Sequence, residues 1–554
     1  MAPNLFITER LNLHQSSHLY QTPSKFYIQP IDESKEALII DRQTCEITVN
    51  KMFSKDFLPI NVASCIIDGV IGIKRLLSGL YLIVITNSIP VGTINGEPIY
   101  RVEKTRIIPF SENQFENGSN QHQWETTYIA MLESVLRTPS FYFSYGYDLT
   151  NSLQRNHNLA NLASESRTNI VAHLNYDKRF LWNQHLMVDF DRCGKITDRY
   201  RLPFIHGFVA IKEQCLPQYF NWSIISRRGT KRAGTRFNSR GADYEGSVSN
   251  FVETEQIIEG GTKHTASFVQ IRGSIPLLWG QTVNYRMKPP IEINTQDENC
   301  LPLKNHLEEL RKFYGNVSFV SLIDQRGHEG QIAHEYSQKM SSIQQYYSVP
   351  YHHFDFHKEC GKMRWHRLKI LIDRIRPEIE AHGYFYFAAG KVMSKQTGVM
   401  RSNCIDSLDR TNVVQSMIAH LVLESQMDQI SKLDFVSMSL DDRFLQVFKN
   451  TWADNADALS VQYAGTPALK TDFTRTGQRT HSGAVMDGIN SLTRYFANNF
   501  FDDYRQDAID LFLGNYEGYP SPLYKPLAII SYASLVPVAF ILFTLVALYL
   551  YMRQ

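Results

Sequence analysis

No cysteine framework is present. Seven cysteines (Cys45, Cys65, Cys193, Cys215, Cys300, Cys360 and Cys404) are scattered through 554 residues, odd in number and without zinc-ribbon or disulfide-scaffold spacing. Reduced thiols in a cytosolic compartment are the simplest reading of such usage. A dominant charge is also missing: 57 Lys and Arg against 55 Asp and Glu leave a net +2. No global field therefore points to nucleic acid, and any basic surface must be local. The absence of low-complexity tracts and internal repeats excludes a disordered scaffold and a solenoid. The opening residues Met-Ala-Pro-Asn-Leu-Phe-Ile-Thr-Glu9 have neither a basic start nor an apolar stretch, so they do not read as a secretory signal.

The chain exceeds one ordinary core, which points to two folded units and an appendage. Residues 1–185 read mostly as strands, with apolar or alternating runs at Tyr81–Thr86, Ile99–Val102 and Phe141–Phe143 between Asn, Gly, Ser and Pro clusters. From 186 to 513, strand-like runs (Val317–Ile323, Tyr384–Phe387) alternate with helical ones (Leu307–Tyr314, Trp365–His382, Thr411–Leu423). The expected fold is α/β: a β-rich N-terminal lobe (1–185) packed on an α/β lobe (186–513). A linker (514–526) and a transmembrane helix (527–552) follow. Leu527 to Met552 is an uncharged run of 26 residues, roughly 39 Å as a helix and long enough to span one bilayer but not two. Pro537 within it is tolerated better in a membrane span than in a soluble helix.

Cys404-Ile-Asp-Ser-Leu-Asp-Arg410, followed by Thr411, carries the chemistry. A cysteine and an arginine separated by five residues is the spacing of a phosphatase loop. In such a loop backbone N–H groups curl around phosphate, the arginine clamps its oxygens and the cysteine attacks phosphorus. The apolar run Tyr384–Ala389 upstream reads as the strand before the loop. Val413, Val414, Met417, Ile418 and Leu421 downstream repeat at helical spacing, which sets the loop at a helix N-terminus. Cys404 is thus the candidate nucleophile and Arg410 the clamp. Asn403, Ser407 and Thr411 are candidates for contact with the bound substrate, although Thr411 equally suits a first-turn hydroxyl.

Two further segments invite a function. Ser226–Arg240 holds six basic side chains and no acid. Within it Arg227, Arg228, Lys231 and Arg232 are candidates for anionic headgroups, against the alternative of a solvated face. His353, Asp355 and His357 would share one face if they lay on a strand. The thiol–phosphate route nevertheless needs no metal or cofactor, and none is assigned.

Arg401-Ser-Asn-Cys404-Ile-Asp-Ser-Leu-Asp-Arg410-Thr-Asn412 closely resembles the signature of the Sac-domain phosphoinositide phosphatases. Matched blocks recur over nearly the whole chain before the apolar run. They include Gly72–Leu77, Phe180–Asn183, Ile205–Phe208, Asn250–Gln256, Arg272–Pro276 and Trp452–Asn455 through Lys470–Phe473. The resemblance is nearest to the membrane-anchored, reticulum-resident branch. It implies hydrolysis of phosphatidylinositol monophosphates, the 4-phosphate and also the 3-phosphate. It also implies a body in the cytosol and an endoplasmic reticulum or Golgi membrane address. Members of that branch usually carry two spans and a retrieval signal, whereas two residues follow the single apolar run here. The block around His353 is not a metal site in the family.

Departure of the inositol oxygen needs a proton and the later hydrolysis a base. The distantly similar myotubularins place a loop aspartate just before the arginine, so Asp409 is the first candidate and Asp406 the second. Ser407 stands where most relatives have a second cysteine. Alternative readings are a protein tyrosine phosphatase, which normally carries His at position 403, and a catalytically weak lipid-binding tether, which normally loses the cysteine or the arginine.

Overall fold

A computed structural model describes residues 11–521, apart from 33–34, 112–114, 117, 167–174, 216–219, 261–263, 298, 362–363, 435–439 and 477–479. Among the described residues no helix is long and apolar enough to cross a membrane. The run 527–552, where a span is expected, lies outside them.

Contacts divide the described chain into two compact units, 11–206 with 507–521 and 207–506. The division falls at 206/207 instead of 185/186, and the segment from Asp507 belongs with the first unit. Aromatic packing explains this. Phe512 lies 5.9 Å from Phe141, and Tyr519 stacks on Trp124 at 4.3 Å. Residues 514–521, expected as the start of a linker, are therefore held by ring contacts.

The first unit is β-rich. Ser17–Gln21, Lys25–Pro30, Ala37–Asp41, Ile47–Asn50 and Ala63–Ile67 form one antiparallel sheet. Gly69–Arg75, Leu80–Ile94, Glu97–Pro109 and Phe141–Phe143 pair antiparallel in chain order. Lys25–Pro30 alternates partly exposed and buried positions, and Phe26 and Ile28 reach the core with Leu19, Ile40, Val70 and Leu82. This is the period-two pattern of a sheet with one wet face.

The second unit is α/β and carries the site. Its sheet runs in the order Tyr351–His353, Asn316–Ser321, Gly398–Asn403, His264–Arg272, Val252–Gly260 and Phe220–Arg228. The first four are mutually parallel where they pair; the remaining pairings are antiparallel. Long helices cover the sheet, among them Leu368–His382 and Asp409–Asp434. Ile372, Ile375, Ile379, Val414 and Ile418 pack with Phe268, Val320 and Met400.

Two expectations are corrected here. The aromatic run Tyr384–Ala389 does contain a strand, Phe385–Ala388, but it pairs antiparallel with His264–Ser267 and does not deliver the loop. The loop leaves the polar-looking strand Gly398–Asn403, buried at every position. The strand holding His353 ends there, and Asp355 instead caps the helix Phe356–Cys360 by accepting from Lys358 N–H. His353, Asp355 and His357 therefore share no strand face.

Candidate active site

Parallel pairing explains why distant residues meet. Ile271 and Arg272 run beside Arg401 and Ser402, Ser321 beside Asn403, and His353 beside Ser321. The carboxyl ends of these strands consequently bring Arg272, Asp324, His357 and Cys404 to one edge. Ligands of open α/β sheets bind at such an edge. A cavity of about 420 Å³ lies here, lined by Cys404, Asp406, Asp409 and Arg410 together with Arg236 and Arg240. That volume suits a small polar headgroup.

The loop is held by its carbonyls. Leu322 N–H donates to the Asn403 carbonyl (2.8 Å), Arg240 Nη1 to that of Ile405 (3.1 Å) and Asn250 Nδ2 to that of Asp406 (3.0 Å). Ser407, in the left-handed region at φ 51°, anchors the turn by donating its hydroxyl to the Gly273 carbonyl at 2.6 Å. In a planar peptide the N–H points opposite to the C=O. Tying these carbonyls back therefore turns the following N–H groups away from the scaffold, as an anion cradle requires. The helix Asp409–Asp434 starts directly after the loop and adds its positive end.

Asp406 and Asp409, near-equivalent in sequence, differ in their surroundings. The Asp406 carboxylate accepts a fork from Arg236 (3.0 and 2.8 Å) and a further bond from Arg240 (2.6 Å). Burial opposes its charge, but the two guanidiniums outweigh burial and hold its carboxyl far below the usual range. Among the described residues Asp409 accepts only from Leu469 N–H at 3.0 Å. There burial dominates over Arg494 and that amide and pushes the carboxyl up.

Arg410 lines the cavity, and its guanidinium forks onto Glu329 (2.9 and 2.7 Å) with further bonds to the Leu322 carbonyl (3.0 Å) and Asp324 (3.3 Å). Burial disfavours its charge, yet the Cys404 sulfur, Glu329 and Asp324 together raise its basicity. Thr411 is fully buried, and its hydroxyl has no hydrogen-bond partner among the described residues. Asn403 accepts from Arg401 Nη1 at 2.8 Å.

The basic segment is only partly at the site. Arg227 is fully buried and paired with Glu253 (3.1 Å) and Glu255 (2.7 Å). Arg228 is buried against the Gln462 and Gly234 carbonyls, Arg232 binds the Arg240 carbonyl, and Lys231 lies 3.7 Å from Glu309. None of these four lines the cavity; Arg236 and Arg240 do.

Arg272 went unnoticed in the sequence except as part of a matched block. It is buried, donates to Asn412 Oδ1 (3.1 Å), and keeps Nε and Nη1 without a partner among the described residues. Burial pulls its basicity down to about 9, opposed by the neighbouring Cys404 sulfur.

Residues 68–361 match the SacI homology domain. Phosphatidylinositol-3-phosphatase SAC1 of Drosophila melanogaster is 44% identical over 527 residues, 92% of this chain and 86% of the relative. Phosphatidylinositol-3-phosphatase SAC1-A of Danio rerio is 42% identical over 510 residues, 91% and 85% of the two chains. Phosphoinositide phosphatase SAC7 of Arabidopsis thaliana is 38% identical over 517 residues, 92% and 85%.

The chain belongs to the SacI homology family.

In this SacI family member the domain match ends at 361, ahead of Cys404, whereas the relatives align over nearly the whole chain. The family assignment thus covers both the Sac region and the loop-bearing region, and the geometry above supplies what the loop can do. It holds a thiol, an arginine and an easily protonated carboxyl at one cavity.

Proposed function

We propose that the chain hydrolyses phosphatidylinositol monophosphates, the 4-phosphate and also the 3-phosphate, to phosphatidylinositol through a phosphocysteine. Cys404 Sγ attacks phosphorus, the bond from phosphorus to the inositol oxygen breaks, and Asp409 gives its proton to that oxygen. Water then gives a proton to the Asp409 carboxylate and attacks phosphorus. The P–S bond breaks, inorganic phosphate leaves, and Cys404 and the acid are restored. Arg410 steadies the charge on the transferring phosphoryl oxygens. Asp406 stays ionised and orients Arg236 and Arg240 around the loop.

The observation that carries this reading is the loop itself, with Cys404 and Arg410 on one cavity and its carbonyls tied to the scaffold. Eight cations against four acidic side chains line the same cavity, a surplus that suits an anionic headgroup. The uncharged run 527–552 serves in this reading as the anchor in an endoplasmic reticulum or Golgi membrane, with the catalytic unit in the cytosol.

Phosphate release across a panel of phosphatidylinositol monophosphates, with a phosphotyrosine peptide as control, tests the assignment. Turnover of the lipids and not the peptide is expected, lost in Cys404→Ser because a serine hydroxyl keeps its proton at neutral pH. Comparable turnover by that variant removes Cys404 from the mechanism.

A further inference from the structure

Within residues 282–288, Thr-Val-Asn-Tyr-Arg-Met-Lys, Arg286, Met287 and Lys288 form part of the cavity wall, and Tyr285 precedes them directly. The apolar side chains here point to solvent: Tyr285 is 71% exposed and Met287 60%, while the neighbouring Phe500 is 49% exposed. Large apolar groups clustered at one exposed rim are what surface-binding regions show. Cations alternate with them, and no acid occurs between Gln281 and Ile291.

The rim is held in place. The Pro289 carbonyl accepts from Gln281 Nε2 and His328 Nε2, both at 2.8 Å, and Tyr495 donates its hydroxyl to the Tyr285 carbonyl at 2.8 Å. The Tyr285 and Phe500 rings are 6.2 Å apart, and Phe500 stacks on Phe496 at 6.2 Å. Tyr285 sits at φ 60°, a conformation uncommon for a residue of its size. Structure is therefore invested in presenting a wet aromatic. Burying that aromatic in a bilayer interface removes its contact with water, and Arg286 and Lys288 meet lipid phosphates at the same depth.

We propose that this aromatic–cationic rim enters the headgroup layer of an anionic bilayer, with Tyr285, Met287 and Phe500 inserted and Arg286 and Lys288 on lipid phosphates. The cavity then opens onto the plane in which the substrate lies. The inference rests on the phosphoinositide reading and deepens it: the substrate is met as a lipid in a bilayer and not as a soluble headgroup.

Two measurements on the full chain test it. The first compares Tyr285→Ser/Phe500→Ser with the parent on long-chain phosphatidylinositol 4-phosphate in phosphatidylserine-containing proteoliposomes and on a dibutanoyl analogue in solution. The ratio of bilayer to soluble kcat/KM should fall about tenfold; an unchanged ratio overturns the proposal. The second is independent of turnover. In a Cys404→Ser background, the emission added by Tyr285→Trp should be quenched by lipids brominated high on the acyl chain. Absence of quenching overturns insertion. A parent chain that turns over neither substrate defeats the phosphatase reading, and quenching still decides the rim.

Discussion

Replacing Asp409 with Asn tests the acid assignment most sharply. The side chain keeps its size, and Oδ1 can still accept from Leu469 N–H, the 3.0 Å bond that positions it. Only the transferable proton is removed. Inositol is a poor leaving group and needs that proton, whereas nitrophenolate leaves without one. General acids contribute about 10²- to 10⁴-fold, so kcat on phosphatidylinositol 4-phosphate should fall at least about 100-fold, or about 2.7 kcal/mol. The loss on p-nitrophenyl phosphate should stay within about threefold on the same grounds. The pH profile adds a sign. Because burial raises the Asp409 carboxyl, the protonated acid persists above the ordinary carboxylate range. The lipid activity should therefore decline as pH rises through that raised value, and Asp409→Asn should abolish this limb. Asp406 behaves oppositely, since Arg236 and Arg240 keep it ionised throughout the assay range. Asp406→Asn loosens both arginines and should slow the two substrates alike. Equal losses on both substrates from Asp409→Asn would refute the assignment.

Other outcomes follow from the same contacts. Arg410→Lys should lower kcat about 100-fold in phosphate-release assays, because an ammonium cannot reproduce the two-pronged geometry of the guanidinium. Glu329→Gln weakens the fork that competes with phosphate for Arg410; the inhibition constant of inorganic phosphate should tighten about fivefold, read by competition. Arg272→Gln removes the buried cation beside the Cys404 sulfur and should slow lipid and aryl phosphate equally, about tenfold or more, because both substrates share the attack by Cys404 on the same phosphoryl group. Sequons at Asn117, Asn221 and Asn316 report topology: with the catalytic unit in the cytosol, endoglycosidase treatment of the expressed chain should leave its gel mobility unchanged.

What the sequence disclosed was local. Cys404 and Arg410 share one short segment, so their spacing is visible without a fold, and the helix after them repeats at its own period. The strand before them was hidden. Gly398–Asn403 is buried at every position, yet its last three residues are polar: Arg401 donates to Asn403 and to the Ser274 carbonyl, whereas Ser402 Oγ and Asn403 Nδ2 have no hydrogen-bond partner among the described residues. A both-sides-buried strand shows no alternation, and the nearby aromatic run Tyr384–Ala389 took its place. The basic segment misled in a similar way. Its six cations look alike in sequence, but strand pairing sets Arg227 opposite Glu253, where a cross-strand ion pair consumes it. The signal existed in the acidic pair Glu253 and Glu255 at period two, matching one arginine on the neighbouring strand. Only Arg236 and Arg240, beyond the strand end, are free to reach the loop. Their capture by Asp406 then decides what sequence left open. Two carboxylates three residues apart are nearly interchangeable on paper. Once one is fixed between two guanidiniums and the other buried against a single amide, their proton affinities are driven apart. Such a separation is what assigns acid and orienting roles within a site.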